Sequence, residues 1–216
     1  MGQQAAIIQA STALAALRRN AISCRACDLW KHATQTVFGE GPGDADLVFV
    51  GEQPGDQEDL SGRPFVGPAG RIFDKALGEA GVDRVRAYVT NAVKHFKFEP
   101  RGKLRLHKKP NTSEINACRR WLIGELEALK PKIVVALGAT AAQSLVGRAT
   151  PVLANRGQVL KGTGGWPVFV TVHPSSLLRA PDDAARAQAY SDFVRDLVAL
   201  RTLVDAKGSC RAAGRR

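Results

Sequence analysis

Two polar side chains that could take part in catalysis follow a short apolar run near residue 50. Residues 47–50 read Leu-Val-Phe-Val, which is typical of a buried strand, and the glycines and proline of residues 51–55 end that strand. Glu52 and Gln53 therefore stand at its carboxyl end. Because the carboxyl ends of strands face the ligand crevice in open α/β sheets, we expect both side chains to meet a bound ligand.

Two later strands also end in polar residues. Residues 85–93 predict a strand with Asn91 towards its carboxyl end, and residues 166–172 predict the last strand, which His173 follows. Glu52, Asn91 and His173 are thus predicted to share one edge of the sheet. A carboxylate and an imidazole at one edge can stabilise opposite charges, although each residue alone is also explained as a surface carboxylate or a turn histidine.

The loop before the next helix carries an aromatic residue. Phe65 lies in a segment rich in glycine and proline, and a helix is predicted over residues 67–81. Pro68 and Ala69 open this helix, whose free N–H groups can hold a phosphate. An ordinary turn between strand and helix with one buried phenylalanine explains the same segment, so both interpretations stay open here.

The cysteine spacing indicates a metal centre. The sequence has four cysteines and no export signal, a combination that favours metal ligands or free thiols over disulfides. Cys24 and Cys27 form a Cys-x-x-Cys pair whose sulfurs can reach one metal or cluster, and Cys118 and His95 are candidates to complete the site. A redox pair is the alternative, although such pairs normally lie where a strand meets a helix. Cys210 is interpreted as a free thiol.

The charge distribution predicts a polyanionic partner. The chain carries 31 basic and 20 acidic residues, for a formal charge of +11. The excess is concentrated at residues 94–109, which hold seven lysines and arginines and the single acid Glu99. Clustered cations bind phosphates with release of counterions, so this segment favours nucleic-acid binding over a purely solubilising role.

The remaining pattern predicts one α/β domain. Further helices are predicted over residues 3–19, over residues 112–129 with Thr112 or Ser113 as the cap, after a turn at Gly138, and over residues 182–203; further strands are predicted over residues 132–137 and near Val159. These elements form a three-layer α/β/α sandwich around a mostly parallel, four-stranded sheet at residues 1–204, followed by a disordered basic tail at residues 205–216. No apolar run approaches the roughly 18 residues of a membrane span, and no signal peptide is evident, so we expect a cytoplasmic protein.

Five motifs occur in a fixed order behind the Cys-x-x-Cys pair. They are Gly-Glu-Gln-Pro-Gly at residues 51–55, Gly-Arg-Pro-Phe-Val-Gly at 62–67, Thr-Asn-Ala-Val-Lys at 90–94, Leu-Gly at 137–138 and His-Pro-Ser-Ser at 173–176. Together they resemble the iron-sulfur uracil-DNA glycosylases over most of residues 23–204. His95, where the common members have a cysteine, and the basic insertion that ends at His107 resemble the narrower UdgX group, whose members become covalently joined to their DNA product.

The resemblance implies a uracil-DNA glycosylase, with that family's fold. Cleavage of an N-glycosidic bond leaves an oxocarbenium-like sugar and a departing base anion. Glu52 suits the cationic side and the N–H of His173 suits the anionic side, as the family assigns them. The amide of Asn91 can bind the N3–H and O4 of uracil, whereas cytosine presents the reversed pattern. Phe65 is the plate on which the extruded base stacks, with a plain core residue as the alternative.

The narrower resemblance implies a role for His107. A neutral imidazole is available near pH 7 and can attack C1′ once uracil has left; in the UdgX group the matching histidine does so, helped by the glutamate that matches Glu52. A histidine that only binds phosphate is the alternative. The loop of the group reads Lys-Arg-Arg-Ile-His, whereas residues 103–107 read Lys-Leu-Arg-Leu-His, so Leu104 removes a positive charge and Leu106 changes an aliphatic contact.

The resemblance also implies supporting substrate contacts from Gln53, Gly55 and Arg179. It implies a structural [4Fe-4S] cluster, although the same ligands suit zinc. The ligands are Cys24, Cys27, His95 and Cys118. The expected partner is uracil-containing DNA, preferably single-stranded, with uracil as a product, and we expect a monomer in a bacterial cytoplasm with no membrane association.

Two other functions remain open from the sequence. In the first, Glu52 activates water in an ordinary turnover glycosylase, and His107 only binds DNA. In the second, the chain is a noncatalytic protein that binds single-stranded DNA and has kept the fold.

Overall fold

The computed structural model describes residues 2–213 of the chain and the side chains of residues 4–206. The strands are β1 (Leu47–Gly51), β2 (Ala87–Asn91), β3 (Phe98–Arg101), β4 (Leu104–His107), β5 (Ile133–Leu137), β6 (Val159–Lys161) and β7 (Pro167–Thr171). The α-helices are α1 (Gly2–Ile22), α2 (Asp56–Ser61), α3 (Pro68–Ala80), α4 (Thr112–Leu129), α5 (Ala139–Val146), α6 (Val152–Asn155) and α7 (Asp183–Ala213). Short 3₁₀ helices lie at Asp28–Lys31, Arg84–Arg86 and Pro174–Arg179.

The central sheet has the strand order β2-β1-β5-β7-β6. Its first four strands are parallel, whereas β6 pairs antiparallel with β7, with Val159 opposite Phe169. The predicted number of four strands is therefore wrong, since the described residues form a sheet of five. The edge strand β6 coincides with the strand predicted near Val159, but it has only three, largely exposed residues and no apolar run that would show from the sequence that it joins the central sheet.

Helices cover both faces of this sheet, which confirms the predicted three-layer sandwich. α3 and α7 pack on one face around Phe49, Phe73 and Phe193. α1, α4 and α5 pack on the other face around Val48 and Leu122. Every residue of β1 is buried because each of its two faces meets a layer of helices.

The last helix extends beyond its predicted end. α7 continues to Ala213, whereas we expected a disordered tail from residue 205. Alanine, lysine and arginine favour helices, and the extension of an existing helix needs no new nucleus. Residues 214–216 and the side chain of Cys210 lie outside the described part of the chain. No helix within residues 2–213 has the length and apolarity that a membrane span requires.

Two local features near the basic segment differ from the prediction. Asn111, rather than Thr112 or Ser113, caps α4, and its side chain accepts the N–H of Glu114 at 2.9 Å. The basic segment is not an irregular loop, because β3 and β4 form an antiparallel hairpin within it. Its four-residue strands are too short for their alternation to be distinguished from a loop.

A buried ion pair links the end of β2 to α4. Nζ of Lys94 donates to Oε2 of Glu125 at 2.6 Å, and the two side chains are 1% and 0% exposed. Lys94 also donates to Oγ1 of Thr90 at 2.6 Å and to the carbonyl oxygen of Asn91 at 2.8 Å, while Glu125 accepts the hydroxyl of Tyr88 at 3.0 Å. Charges withdrawn from water are costly unless their polar atoms have partners, so this network holds the end of β2 in place.

Loss of one member of this pair should strongly destabilise the fold. We expect Lys94→Ala to lower the free energy of unfolding by about 3–5 kcal/mol, because the carboxylate of Glu125 stays buried without its cation. Lys132→Ala is the control, since the pair of Lys132 with Asp46 is partly exposed and such pairs contribute only about 0–1 kcal/mol. Urea unfolding followed by circular dichroism measures both variants. Equal losses would contradict the assigned importance of the buried pair.

Candidate active site

The carboxyl ends of β1, β2 and β7 meet at one edge of the sheet. Gly51 at the end of β1 lies opposite Asn91 at the end of β2. Glu52 follows β1 directly, and His173 comes two residues after the end of β7. The structure thus brings the three strand-end side chains to a common edge, as a parallel sheet requires.

Two adjoining cavities open at this edge. The first, of about 560 Å³, is lined by Phe65 and Asn91 and is called the Phe65 cavity. The second, of about 480 Å³, is lined by Glu52 and Leu137 and is called the Glu52 cavity. The two cavities share the side chains of Gln53, His107, His173, Ser175 and Arg179. A ligand that spans both cavities therefore lies against both histidines.

Phe65 forms the apolar wall of its cavity in a strained backbone conformation. Its φ is +58°, in the left-handed region that side chains rarely adopt. Gly70 makes this conformation possible, because a Cβ at that position would lie 2.0 Å from the carbonyl oxygen of Phe65. The ring centroid lies 5.1 Å from that of Phe73 and 6.1 Å from that of His173. Phe65 is therefore both a core residue and a cavity wall.

Asn91 is buried directly beside this ring. Its exposed fraction is 3%. Gly51 allows the close approach, because a Cβ there would lie 2.3 Å from Oδ1 of Asn91 and 2.9 Å from Cζ of Phe65. The Phe65 cavity consequently offers a polar amide at one side and an aromatic face at another, which suits a flat heterocycle.

A buried carboxylate that the sequence analysis did not single out joins the two glycine-rich loops. Oε2 of Glu58 accepts the N–H of Gly55 at 3.1 Å, and its Oε1 accepts the N–H of Gly67 at 2.7 Å. Gly55 is the N-cap of α2 and Gly67 is the N-cap of α3, so Glu58 fixes the starts of both helices and the loop of Phe65 between them. The sequence signal was a glutamate three residues after an N-cap, which is the spacing of a capping box.

His173 is held as a hydrogen-bond donor. The backbone N–H of Ser175 donates to Nδ1 at 3.1 Å, so the neutral ring carries its proton on Nε2. Burial, with a smaller effect of the nearby His107 and Arg179, lowers the pKa of His173 to about 4. The ring is therefore neutral near pH 7 and offers an N–H to an acceptor. Arg179 borders the same space and donates to Oγ of Ser175 at 3.3 Å.

Glu52 and His107 lie next to each other in the wall of the Glu52 cavity. Oε1 of Glu52 lies 3.5 Å from Nε2 of His107. The other carboxylate oxygen accepts the hydroxyl of Thr140 in α5, which fixes the orientation of the carboxylate. The side chain of His107 is half exposed, so a ligand can reach its ring.

Gln53 holds the base of the hairpin that carries His107. Its Nε2 donates to the carbonyl oxygens of Lys97 and Lys108, each at 3.1 Å, and its Oε1 accepts the N–H of Lys97 at 3.2 Å. The N–H of Lys108 also donates to the carbonyl oxygen of Lys97 at 2.9 Å. The chain thus enters and leaves the hairpin at one point. Gln53 borders both cavities, but its amide is engaged by the hairpin backbone.

Arg105 provides a second anchor for the hairpin. Its Nε donates to Oδ1 of Asp56 at 2.5 Å, and its Nη1 donates to Oδ2 of Asp59 at 2.6 Å. The buried carboxylate of Asp59 also accepts the N–H of Thr34. The sequence analysis missed these partners, because an arginine in a basic segment gives no sign of which distant carboxylates it will meet. Because alternate residues of a strand share a face, Arg105 and His107 both face the body of the domain.

The predicted metal ligands lie in and around one hydrophobic cluster between the N-terminal segment and α4. Cys118 belongs to a buried hydrophobic cluster on which Cys24 and Cys27 also pack. Nε2 of His95 lies 3.0 Å from Oγ1 of Thr36. Within the part of the chain that the structure describes, no three His, Cys, Asp or Glu side chains form a group that could hold a metal ion.

The sulfur atoms of this region receive N–H donors. Sγ of Cys24 accepts from Nε1 of Trp121 at 3.2 Å and from Nη2 of Arg120 at 3.3 Å. Sγ of Cys118 accepts the backbone N–H of Lys94 at 3.2 Å. Burial raises the pKa of Cys24, but its hydrogen bonds outweigh that effect and lower the pKa overall, whereas burial raises the pKa of Cys118 to about 12. N–H donors to sulfur are a feature of iron-sulfur sites, whereas the raised pKa of Cys118 favours the protonated thiol over the thiolate that binds iron.

The geometry of the two cavities can stabilise a separation of charge. Glu52 supplies a carboxylate on one side, and His173 supplies a neutral N–H on the other. A bond that ionises between them is therefore stabilised at both of its ends. The half-exposed ring of His107 lies beside this carboxylate.

A family model and several relatives of this chain identify the same family. A sequence model of the uracil DNA glycosylase superfamily matches residues 38–198. The chain is 39% identical over 171 residues to the type-4 uracil-DNA glycosylase of Thermotoga maritima, which covers 79% of this chain and 85% of the relative. It is 36% identical over 183 residues to the type-4 uracil-DNA glycosylase of Archaeoglobus fulgidus. That alignment covers 81% of this chain and 87% of the relative. A type-5 uracil-DNA glycosylase of Pyrobaculum aerophilum shares 30% identity over 171 residues, or 71% of each chain.

His173 should titrate far below an ordinary histidine. Because burial disfavours its charged form, we expect the ring to stay neutral, with the proton on Nε2, down to about pH 5. Long-range ¹⁵N–¹H correlation spectra of the imidazoles between about pH 4 and pH 8 measure both the tautomer and the pKa. The variant His173→Gln assigns the signal. A titration near the ordinary histidine value, or a proton on Nδ1, would contradict the described arrangement.

Proposed function

Because the chain belongs to the uracil-DNA glycosylase superfamily, we propose that it removes uracil from DNA and then attaches through His107 to the abasic sugar. The first step breaks the N-glycosidic bond, and the second joins a ring nitrogen of His107 to C1′. The proposal places the chain in the UdgX group. The observation that carries it is the position of His107, on an anchored hairpin with Nε2 3.5 Å from Oε1 of Glu52.

Uracil is the base that the Phe65 cavity suits. The amide of Asn91 can accept the N3–H of uracil and donate to its O4, while the ring of Phe65 stacks on the base. Cytosine presents the reversed donor and acceptor at these positions. With Asn91 only 3% exposed, the wrong base would leave buried polar atoms unpaired, which is a large penalty.

Glu52 and His173 act on the two charges that form as the bond breaks. The bonding electron pair leaves with uracil, which gives a base anion and an oxocarbenium-like sugar. Nε2–H of His173 donates to the O2 of the anion, and the carboxylate of Glu52 stabilises the cationic sugar. The uracil anion then takes a proton from water. A low pKa for His173 supports this role, because the neutral ring is a donor without a net charge at the working pH.

His107 captures the cation before water does. The lone pair of one ring nitrogen forms the bond to C1′, and the positive charge passes to the imidazole ring, where Glu52 stabilises it. Gln53 and Arg105 hold the hairpin in place before the cation forms, so the nucleophile needs no rearrangement. The protein molecule ends the reaction bound to the abasic site.

Two residues that depart from the UdgX loop lie away from this chemistry. Leu104 and Leu106 are 65% and 41% exposed. They alternate with Arg105 and His107 along β4 and therefore lie on the opposite face of the hairpin. Neither leucine takes part in the contacts of Arg105 with Asp56 and Asp59, which supports covalent attachment despite both departures.

Single-stranded DNA is the proposed form of the substrate. A nucleotide in a single strand enters the Phe65 cavity without the cost of breaking a base pair. The net charge of +11 and the basic hairpin attract the phosphate backbone. Arg179, at the boundary of both cavities, is placed to contact a phosphate of the extruded nucleotide.

We also propose that Cys24, Cys27, His95 and Cys118 hold a [4Fe-4S] cluster. The cluster would cross-link the N-terminal segment to the base of the hairpin. It would take no part in cleavage of the N-glycosidic bond. The shared hydrophobic cluster of the three cysteines and the N–H donors to two sulfurs support the assignment. Among the described residues, no cysteine lines either cavity, which supports a structural role.

A denaturing gel tests the role of His107. We expect the wild-type protein, mixed with a labelled single-stranded oligonucleotide containing one uracil, to give a shifted band that resists heat and detergent. His107→Ser should lack this band because it has no nucleophile at C1′, and it should instead leave an alkali-labile site. His32→Ser, at an exposed histidine outside both cavities, is the matched control and should behave as the wild type.

The other outcomes of this gel identify the alternatives. Alkali-labile DNA without a shifted band from the wild-type protein would overturn the role of His107 and would indicate a turnover glycosylase. Intact DNA with the wild-type protein would contradict uracil excision and would favour a noncatalytic DNA-binding protein.

Metal and sulfide analysis tests the cluster. We expect about four iron atoms and four acid-labile sulfides per chain, with broad visible absorbance. Cys118→Ala should lose this absorbance and unfold at a lower temperature, because the cross-link is lost, whereas Cys210→Ala should keep both properties. Zinc in place of iron would contradict the assignment. Loss of the cluster with unchanged thermal stability would contradict its structural role.

A further inference from the structure

The Glu52 cavity extends past the reacting groups to an exposed leucine. Val152 and Leu153 of α6 form part of its wall, and Leu153 is 77% exposed. A single exposed leucine carries no information by itself. This one borders the same cavity as His107 and His173, so an apolar contact surface lies beside the reacting groups and outside the Phe65 cavity.

α6 is fixed to the strand that leads to His173. The helix packs against β7. Arg156, directly after α6, forms an ion pair with Asp196 of α7, with Nη2 of the arginine 2.9 Å from Oδ2 of the aspartate. The same carboxylate oxygen accepts the hydroxyl of Thr171, at the end of β7, at 2.5 Å. These contacts hold Leu153 in a defined position relative to His173.

The same cavity also carries two cations. Lys109, which follows the hairpin, and Arg179 both line it. A nucleotide extruded into the Phe65 cavity stays joined to its neighbours through phosphates, so the strand must continue past His107. The Glu52 cavity offers cations for a phosphate and Leu153 for the face of a base. A base in single-stranded DNA exposes such an apolar face, whereas a base in a duplex does not.

We propose that the Glu52 cavity is a binding subsite for the nucleotide next to the extruded uridine in single-stranded DNA. Leu153 contacts the base of this nucleotide, and Lys109 and Arg179 neutralise the phosphate that joins it to the extruded uridine. The inference rests on the proposed function, which places uridine in the Phe65 cavity. The subsite makes part of the affinity for single-stranded DNA depend on the base next to uracil and not on uracil itself.

The affinity of the Leu153→Ser variant of the whole chain for single-stranded DNA tests this subsite. The probe is a labelled single-stranded oligonucleotide with 2′-fluoro-2′-deoxyuridine, whose fluorine disfavours the oxocarbenium-like transition state and preserves the glycosidic bond. We expect fluorescence anisotropy to give a Kd about three- to tenfold weaker than that of the wild type, because one aliphatic contact is lost. Val85→Ser is the matched control and should bind as the wild type, since Val85 is 80% exposed in the 3₁₀ helix at the amino end of β2.

Abasic spacers on either side of the fluorouridine complete the test. Removal of the contacted base should weaken wild-type binding to a similar extent and cause no further loss in Leu153→Ser, because both changes remove the same contact. Wild-type affinity in Leu153→Ser, or a loss that neither spacer alters, would overturn the subsite. Uracil release from the unmodified oligonucleotide by the wild-type protein is measured in parallel. Its absence would contradict the proposed function, and the affinities would still decide the subsite.

Discussion

The buried ion pair between Lys94 and Glu125 is the constraint on which the candidate site depends. Lys94 donates to the carbonyl oxygen of Asn91, and its own backbone N–H donates to Sγ of Cys118. Glu125 also accepts the N–H of Gly39. Because neither charge can return to water, every partner of the pair is held in place. One lysine therefore connects the wall of the Phe65 cavity with the proposed cluster ligands.

The side chains of the candidate site come from two parts of the structure, the edge of the central sheet and the anchored hairpin. The sheet edge supplies the base-binding amide, the carboxylate and the N–H donor, and each stands at the end of a buried strand. The hairpin supplies only His107, which its two anchors bring to the carboxylate of Glu52. A nucleophile held in this way has an advantage over water that grows with its effective concentration at C1′. In the proposed function, the placement of His107 therefore favours attachment, and no unusual reactivity of the histidine is required.

The fold was largely predictable because its central strands are continuous apolar runs and its helices have clear ends. The convergence of Glu52, Asn91 and His173 followed from the geometry of parallel sheets. The short strand near Val159 was predicted, but its place as a fifth strand of the central sheet was not, because three largely exposed residues carry no pattern that shows which sheet they join. Glu58 and Arg105 escaped prediction because their importance depends on partners brought together by folding, which spacing along the chain does not reveal. The role proposed for His107 rests on a resemblance, since a histidine in a basic segment has no distinguishing pattern of its own.

The closed base of the hairpin makes it a separable module. Lys97 and Lys108 are joined there by a hydrogen bond of 2.9 Å, and both bond to Gln53, so the intervening residues begin and end at one place on the surface. An insertion with adjacent ends costs little chain entropy and leaves the underlying sheet unchanged. Under the proposed function, base recognition by the sheet edge and covalent attachment by the hairpin are therefore separable in evolution. Gain or loss of this one short segment would convert a glycosylase that turns over into one that acts once, or the reverse.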